Sequence, residues 1–353
     1  MRARELPLHY LGEVPWDFSQ ALYHAQAELG EPALNILWPA SPYVCIGRFQ
    51  DAERDLDLEA CRRLGVPVVR REVGGGAVYL DGGQVFYQLV LPLEWVGCSY
   101  DYRALFALGL DGVVLALKRL GVNACSRGAN DVCVGARKIS GNGAGQVGQA
   151  VAVVGNVLLR FNYEAMASVL RVPEEKLRDK VYRSLRENLV TLSELGLELS
   201  NEQVAGALIY GLRDILPPGW HLCPAGSLSQ SVLQHARAVA GRLSSHEWVH
   251  SVQRPPASSQ RRLREGVTLH ERLHKAPGGL LRAHYVLKEG RLDWAFIGGD
   301  FFADPPSAPE LLAQELTGRE IGEVEEVAAR FLARSDISLP GVGPKDIAAL
   351  FAP

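Results

Sequence analysis

The segment Arg70-Arg71-Glu72-Val73-Gly74-Gly75-Gly76-Ala77-Val78-Tyr79-Leu80-Asp81 sets two guanidinium groups and three bare glycines beside an apolar run. Consecutive glycines let a ligand approach the backbone with no Cβ in the way. Their N–H groups can converge into a concave nest suited to an anion such as a phosphate. A second segment, Asn130-Asp131 followed by Arg137-Lys138-Ile139-Ser140-Gly141, adds a carboxylate and an ammonium. Lys138 would supply a point charge to a phosphate, and Asp131 a carboxylate of the kind that holds Mg²⁺ against phosphate oxygens. Alone, Gly-Gly-Gly marks a turn and Lys138 is a solvated strand lysine. Together the two segments point to phosphate chemistry beside an apolar tail.

These residues need elements to hold them. Pro67–Arg71 reads as a strand, which sends Arg70 and Arg71 to opposite faces. One arginine then enters the site and the other is a surface charge. Ala77–Leu80 and Val85–Leu91 flank Asp81-Gly82-Gly83, a hairpin signal in which Asp81 starts the turn. Leu34–Trp38, Val44–Gly47, Asp131–Val134, Lys138–Gly141 and Ala150–Phe161 read as further strands of one mixed sheet. Helical spacing recurs over Phe18–Leu29, with Asp17 as N-cap, and over Leu56–Leu64, Tyr102–Leu120, Ala165–Leu170, Glu174–Tyr182 and Glu202–Ile215. The mixture predicts an α+β (mixed α/β) fold rather than a helix bundle.

A chain of 353 residues suits two domains better than one. Pro255-Pro256-Ala257-Ser258-Ser259-Gln260 reads as a linker, giving a domain over residues 1–251, a linker over 252–262 and a second domain over 263–353. In the latter, Leu281–Leu287 and Leu292–Ile297 form a hairpin around Glu289-Gly290, followed by helices at Glu310–Leu316 and Glu323–Leu332. The net charge of −3 argues against nucleic acid as a partner. The six cysteines show neither Cys-x-x-Cys nor a zinc-like cluster with histidine, as expected of small buried side chains in a reducing compartment. No apolar run reaches about 18 residues, so no membrane span is expected. The N-terminus lacks a signal-peptide core, and the expected location is cytoplasmic.

The two motifs together resemble the lipoate–protein ligase A family, within the group that also holds biotin ligases and octanoyltransferases. The family pattern runs Arg-Arg-x-(Ser/Thr)-Gly-Gly-Gly-Ala-Val-aromatic-His-Asp and Gly-Asn, with a later Asn-Asp ahead of Lys-(Ile/Val)-Ser-Gly. Gly47-Arg48-Phe49-Gln50, His246-Glu247-Trp248, Gly298-Gly299-Asp300-Phe301-Phe302 and Glu315-Leu316-Thr317-Gly318 extend the likeness along most of the chain. The resemblance implies a biotin/lipoate-ligase-like catalytic domain with mixed β-sheets flanked by helices, and a small α+β C-terminal accessory domain. It implies ATP and Mg²⁺ as co-substrate and ion, lipoate as substrate, and no tightly bound cofactor. It also implies a partner presenting one lysine: a 2-oxoacid dehydrogenase acyltransferase subunit, the glycine-cleavage H protein or a dedicated lipoate-binding carrier.

Position by position, Lys138 matches the essential lysine that contacts the carboxylate and α-phosphate. Arg71 matches an arginine whose stem lies along the lipoyl chain. Gly74, Gly75, Gly76 and Val78 match contacts to the acyl-adenylate, and Tyr79 an aromatic residue whose backbone meets adenine. Asn130 and Asp131 match the nucleotide and metal site. Three positions depart from the pattern. Val73 replaces serine or threonine, Leu80 replaces histidine, and Gln84 replaces an asparagine that contacts adenine. Val73 and Leu80 make the pocket more apolar, which suggests a specialised subgroup with its own acceptor. Two other readings stand beside the ligase. One is an ATP-independent octanoyl or lipoyl transferase using Lys138 or a Cys125 nucleophile; the other is a non-catalytic protein that binds lipoyl domains. The C-terminal domain favours the ligase, and the Gly-Arg-Gly-Arg-x-Gly signature of biotin ligases is absent.

Overall fold

The computed structural model describes residues 4–96, 102–128, 130–172, 177–252, 262–264 and 267–351. β1 (Arg4–Val14) leads to α1 (Trp16–Leu29), β2 (Ala33–Pro39) and β3 (Tyr43–Ile46). The short helices α2 (Ala52–Asp55) and α3 (Leu58–Arg63) precede β4 (Val68–Arg70), β5 (Val78–Leu80) and β6 (Gln84–Pro92). Next come α4 (Leu93–Val96), α5 (Tyr102–Arg119), β7 (Cys125–Arg127), β8 (Asp131–Val134), β9 (Arg137–Val147) and β10 (Ala150–Leu158). The chain continues through α6 (Tyr163–Val169), α7 (Arg178–Asn188), α8 (Asn201–Asp214), β11 (Trp220–Pro224), α9 (Gln230–Ser244) and α10 (His246–Val249). Beyond them lie β12 (Arg262–Arg264), β13 (Val267–Ala276), β14 (Gly279–Lys288), β15 (Arg291–Asp300), α11 (Ala308–Leu316), α12 (Val324–Leu332) and α13 (Pro344–Ala349).

These strands form three sheets, so the mixed α+β class is correct but the single sheet is not. The largest runs β11-β1-β2-β6-β10-β9-β8-β7, the second β12-β13-β14-β15, and the smallest β4-β3-β5. The turn at Asp81-Gly82-Gly83 is therefore not a hairpin: β5 pairs with β3, whereas β6 pairs with β2 and β10. Turn chemistry reverses the chain there, but partner choice follows burial. β6 is buried at every position, so both its faces are covered, and it lies inside the large sheet between β2 and β10. Leu80 enters an apolar cluster with Tyr43, Cys45 and Phe86.

Helices α5 and α8 cover the large sheet with their faces pressed together, Gly112 against Gly211. A Cβ on Gly211 would collide with the Gly112 carbonyl and stand 2.7 Å from the Ala116 nitrogen. The N-terminus of α8 is fixed by a reciprocal capping box between Ser200 and Gln203. On α1 the N-cap is Pro15, and Asp17 lies in the first turn with its carboxylate accepting from Phe18 N at 2.9 Å. α9, whose Val232, Ala236, Val239 and Leu243 recur at helical spacing, packs on α1.

Residues 276–351 build a core of their own around Tyr285, Phe301, Phe331 and Phe351. The proline-bearing segment 253–261 lies outside the described residues, as do 174–176 at the start of the expected Glu174–Tyr182 helix. Among the described residues, no helix is long and apolar enough to cross a membrane.

Candidate active site

The three-stranded sheet exists at the point where the glycines are needed. β4 ends at Arg70, the corner 71–77 follows, and β5 returns beside β3. Both arginines point inward to backbone, so the expected surface charge at Arg70 is wrong. Arg70 has no exposed surface. Its guanidinium donates to the carbonyls of Gly47, Arg48, Gln50, Trp248 and Val249. Burial, then the nearby Arg48, pulls its pKa down to about 10. The strand pattern gave the alternation of faces, but both faces here are covered.

Arg71 clasps the corner itself. Its Nη2 donates to the carbonyls of Gly74 (2.8 Å) and Gly76 (2.9 Å), and its Nη1 to the Cys45 carbonyl at 3.3 Å. Holding two carbonyls on one side orients the glycine backbone, which is what a preorganised anion nest requires. Gly75 adopts φ of 89°, a conformation costly to any residue with a Cβ. From the other side, His24 accepts a hydrogen bond from Glu72 N at 3.1 Å through Nε2, and Nδ1 donates to the Gln20 carbonyl at 2.8 Å. That arrangement uses the neutral imidazole, and burial lowers the His24 pKa to about 4. Arg242 ties Glu72 to Glu28 in the same region.

Lys138 and Asp131 form an ion pair, with Nζ 2.7 Å from Oδ1. The bulge between Val132 and Cys133 shifts the pairing of β8 with β9, so Asp131 lies opposite Gly141. The lysine end lies over this glycine: a Cβ there would stand 3.0 Å from both Cε and Nζ of Lys138 and would push it aside. Asn130 is fixed through its carbonyl, which accepts from the backbone N–H and Nδ2 of Asn142, both at 3.0 Å. Asn142 in turn accepts from the Tyr87 hydroxyl at 2.8 Å.

Gln84 spends its amide inside the fold. Nε2 donates to the Tyr79 carbonyl at 3.0 Å, and Oε1 accepts from Asn156 Nδ2 at 2.6 Å. Asn156 Oδ1 then accepts from Gly141 N at 3.0 Å. A hydrogen-bonded line therefore joins Tyr79 to the glycine beneath Lys138. Asn142, Asn156 and His24 were not foreseen from sequence. The signal for both asparagines was a polar side chain inside an otherwise apolar or small-residue strand, which demands a partner when buried.

Val73 is buried, its methyls against Gly143 and Gly145 of β9. Val78 is half-buried on β5. Cys125 is exposed on β7 opposite Cys133, itself opposite Lys138, so two strand spacings separate Cys125 from the lysine. The corner also meets the far end of the chain: Gly75 N donates to the Phe301 carbonyl at 2.9 Å. Among the described residues, no group of three or more histidines, cysteines and carboxylates is arranged to hold a metal.

The family model for the lipoyl protein ligase A/B catalytic domain matches residues 12–213. Lipoate-protein ligase A subunit 1 of Thermoplasma acidophilum is 29% identical over 209 residues, covering 56% of this chain and 78% of that protein. Octanoyltransferase LipM of Kyrpidia tusciae is 28% identical over 255 residues, 66% of this chain and 91% of its own. A lipoate–protein ligase of Streptococcus pyogenes is 28% identical over 309 residues, covering 84% and 83%. Among solved structures, the bi-partite lipoate protein ligase of T. acidophilum, described with its E2 lipoyl domain, aligns at a TM-score of 0.62 and 27% identity. It covers 72% of this chain and 100% of that one. LipL1 of P. falciparum in complex with lipoate shares the fold at a TM-score of 0.65 and 17% identity, over 95% of each chain.

Proposed function

Because the chain belongs to the lipoyl protein ligase A/B catalytic-domain family, we propose that it is an ATP-dependent lipoate–protein ligase. A free carboxylate does not acylate an amine at neutral pH, since it is a poor electrophile with a poor leaving group. In this reading a lipoate oxygen attacks the α-phosphorus of ATP, and pyrophosphate leaves. The ε-amine of an acceptor lysine then attacks the carbonyl of the mixed anhydride, and AMP leaves. Both steps gather negative charge on oxygens bound to phosphorus, and a preorganised ammonium stabilises it.

The observation that carries the proposal is Lys138 held 2.7 Å from Asp131 over the bare backbone of Gly141. Arg71 supports the corner that would receive the phosphate, and Gly74, Gly75, Gly76, Val78 and Tyr79 would line the acyl-adenylate. Asn130 and Asp131 would face the nucleotide. A single half-exposed carboxylate suits Mg²⁺, which keeps several waters and takes its remaining ligands from substrate phosphates. Asp131 would hold it, and the ion would neutralise phosphate charge. Residues 1–251 would carry this chemistry, with 263–353 as an accessory domain. The acceptor would be a lipoyl-carrier domain of a 2-oxoacid dehydrogenase, the glycine-cleavage H protein or a dedicated carrier.

A transferase using Cys125 is favoured by the LipM relative. The two strand spacings between Cys125 and Lys138, with β8 between them, count against it. Pyrophosphate release from ATP, with lipoate and Mg²⁺, separates the readings. Lipoate-dependent release, lost by a hundredfold or more in Lys138→Ala, is the roughly 3 kcal/mol expected of one electrostatic group. Activity only from an acyl-carrier thioester, abolished in Cys125→Ala, would replace the ligase with the transferase.

A further inference from the structure

Phe301 and Phe302 are adjacent, yet their rings enter different cores. Phe301 stacks on Phe49, with centroids 4.9 Å apart, and belongs to the core of residues 276–351. Phe302 crosses over. It is 5% exposed and counts among the residues of the large-sheet core, edge to face with Phe106 at 5.4 Å. Its ring would stand 2.9 Å from a Cβ on Gly75 and 3.4 Å from one on Gly143, the glycine that Val73 also touches. On the same residue of the corner, Arg71 Nη2 would stand 3.0 Å from that Gly75 Cβ.

The rest of the segment completes the cover. The Phe301 carbonyl takes the Gly75 N–H, and a Cβ on Gly74 would collide with that same carbonyl. The Asp300 carboxylate lies over Gly76, 2.8 Å from where its Cβ would be. Asp300, Phe301 and Phe302 therefore set a carboxylate, a hydrogen-bond acceptor and an apolar ring against the glycine corner. An acyl phosphate presents the same three features in the same order: an anion, acceptor oxygens and an apolar chain.

We infer that Phe302 is a specificity-determining residue of the acyl site. Its ring and the substrate's acyl chain use the same apolar seat, walled by Val73, Phe106 and Gly143, so a chain binds only as the ring leaves. This rests on the ligase reading for the identity of the acyl acid, and it goes beyond it in naming the residue against which chain length is measured. Asp300 acts alongside, since its carboxylate repels an incoming phosphate from Gly76. Short acids that do not reach the seat gain nothing from the ring's removal, whereas longer ones do.

The test is calorimetric titration of butyrate, octanoate and lipoate onto the full-length wild type, Phe302→Ala and Phe302→Leu. Each protein's thermal midpoint is recorded beside it. Pyrophosphate exchange of the wild type is measured in parallel. Octanoate and lipoate should bind Phe302→Ala about tenfold tighter than wild type. Phe302→Leu should fall between, and butyrate should be unchanged. If the alanine variant does not fold, the leucine variant decides. Equal or weaker octanoate binding by a folded variant overturns the inference, as does an equal gain for butyrate. A wild type without exchange, but with the chain-length order intact, removes the ligase reading and leaves the shared seat standing.

Discussion

His24 anchors the glycine corner as a neutral acceptor, and this makes the corner sensitive to acid. The imidazole of an unfolded chain titrates near about 6.5, while in the folded protein burial lowers it to about 4. Between those values the unfolded chain binds the proton and the folded one does not, so stability rises with pH across this window. Above it the contribution is complete, and it is lost as pH falls through the window to about 4. The loss should approach about 3 kcal/mol, the free energy of such a shift. Urea unfolding from pH 7 to pH 4 should show it. His24→Gln should be less stable at pH 7 but flatter in its pH dependence, whereas an unchanged slope would remove His24 as the cause. At this scale, Lys138, Asp131 and the glycines were legible because their residue types are rare together. His24, Asn142 and Asn156 were not, because each matters only through a partner brought near by the fold.

Elements were legible where their periodicity is local. The β14–β15 hairpin, α5, α8, α11 and α12 fall near the positions their spacing suggests. β1 escaped notice because only two of its eleven residues are buried, which leaves no alternation to read. The contact between α5 and α8 is a case where spacing alone says too little. Gly112 and Gly211 look like weak points in helices, yet they let the two backbones meet. Gly211→Ala should gain helix propensity and still lose stability, by about 1–3 kcal/mol, because backbone atoms cannot yield to the added methyl. In a chain of this size that is a fall of several degrees in thermal midpoint. A rise in midpoint would mean that the helices separate freely.

At the scale of the whole molecule, the two larger cores share more than a covalent link. Phe302 lies in one while its neighbour Phe301 lies in the other. Arg54 Nη2 on α2 donates to Glu271 of β13 at 2.9 Å, and Arg282 of β14 pairs with Asp55 at 3.4 Å. Scanning calorimetry of the full chain should therefore give one cooperative transition, with Phe302→Ala splitting or broadening it. Two well-separated transitions in the wild type would show that these contacts contribute little. Chain length and the proline-bearing stretch suggest two units, and residues 276–351 have a core of their own. The approach of Asp300 to the glycine corner was not legible, since nothing local to Asp300 records what faces it.

Arg70 has a consequence for the order in which this protein is made. Its guanidinium is satisfied in part by the carbonyls of Trp248 and Val249, and the first strand has an edge that pairs with Trp220–Pro224. A ribosome has thus translated the glycine corner well before it supplies the last acceptors of the arginine at its root. Until α10 emerges, the guanidinium lacks two of its acceptors and stays open to water, so the packing around it is incomplete. The packing around Arg70 should therefore mature late, after the β9–β10 hairpin, whose strands follow one another in sequence and are quick to pair. A nascent chain halted before residue 248 would carry every residue of the proposed chemistry and still leave Arg70 without two of its acceptors.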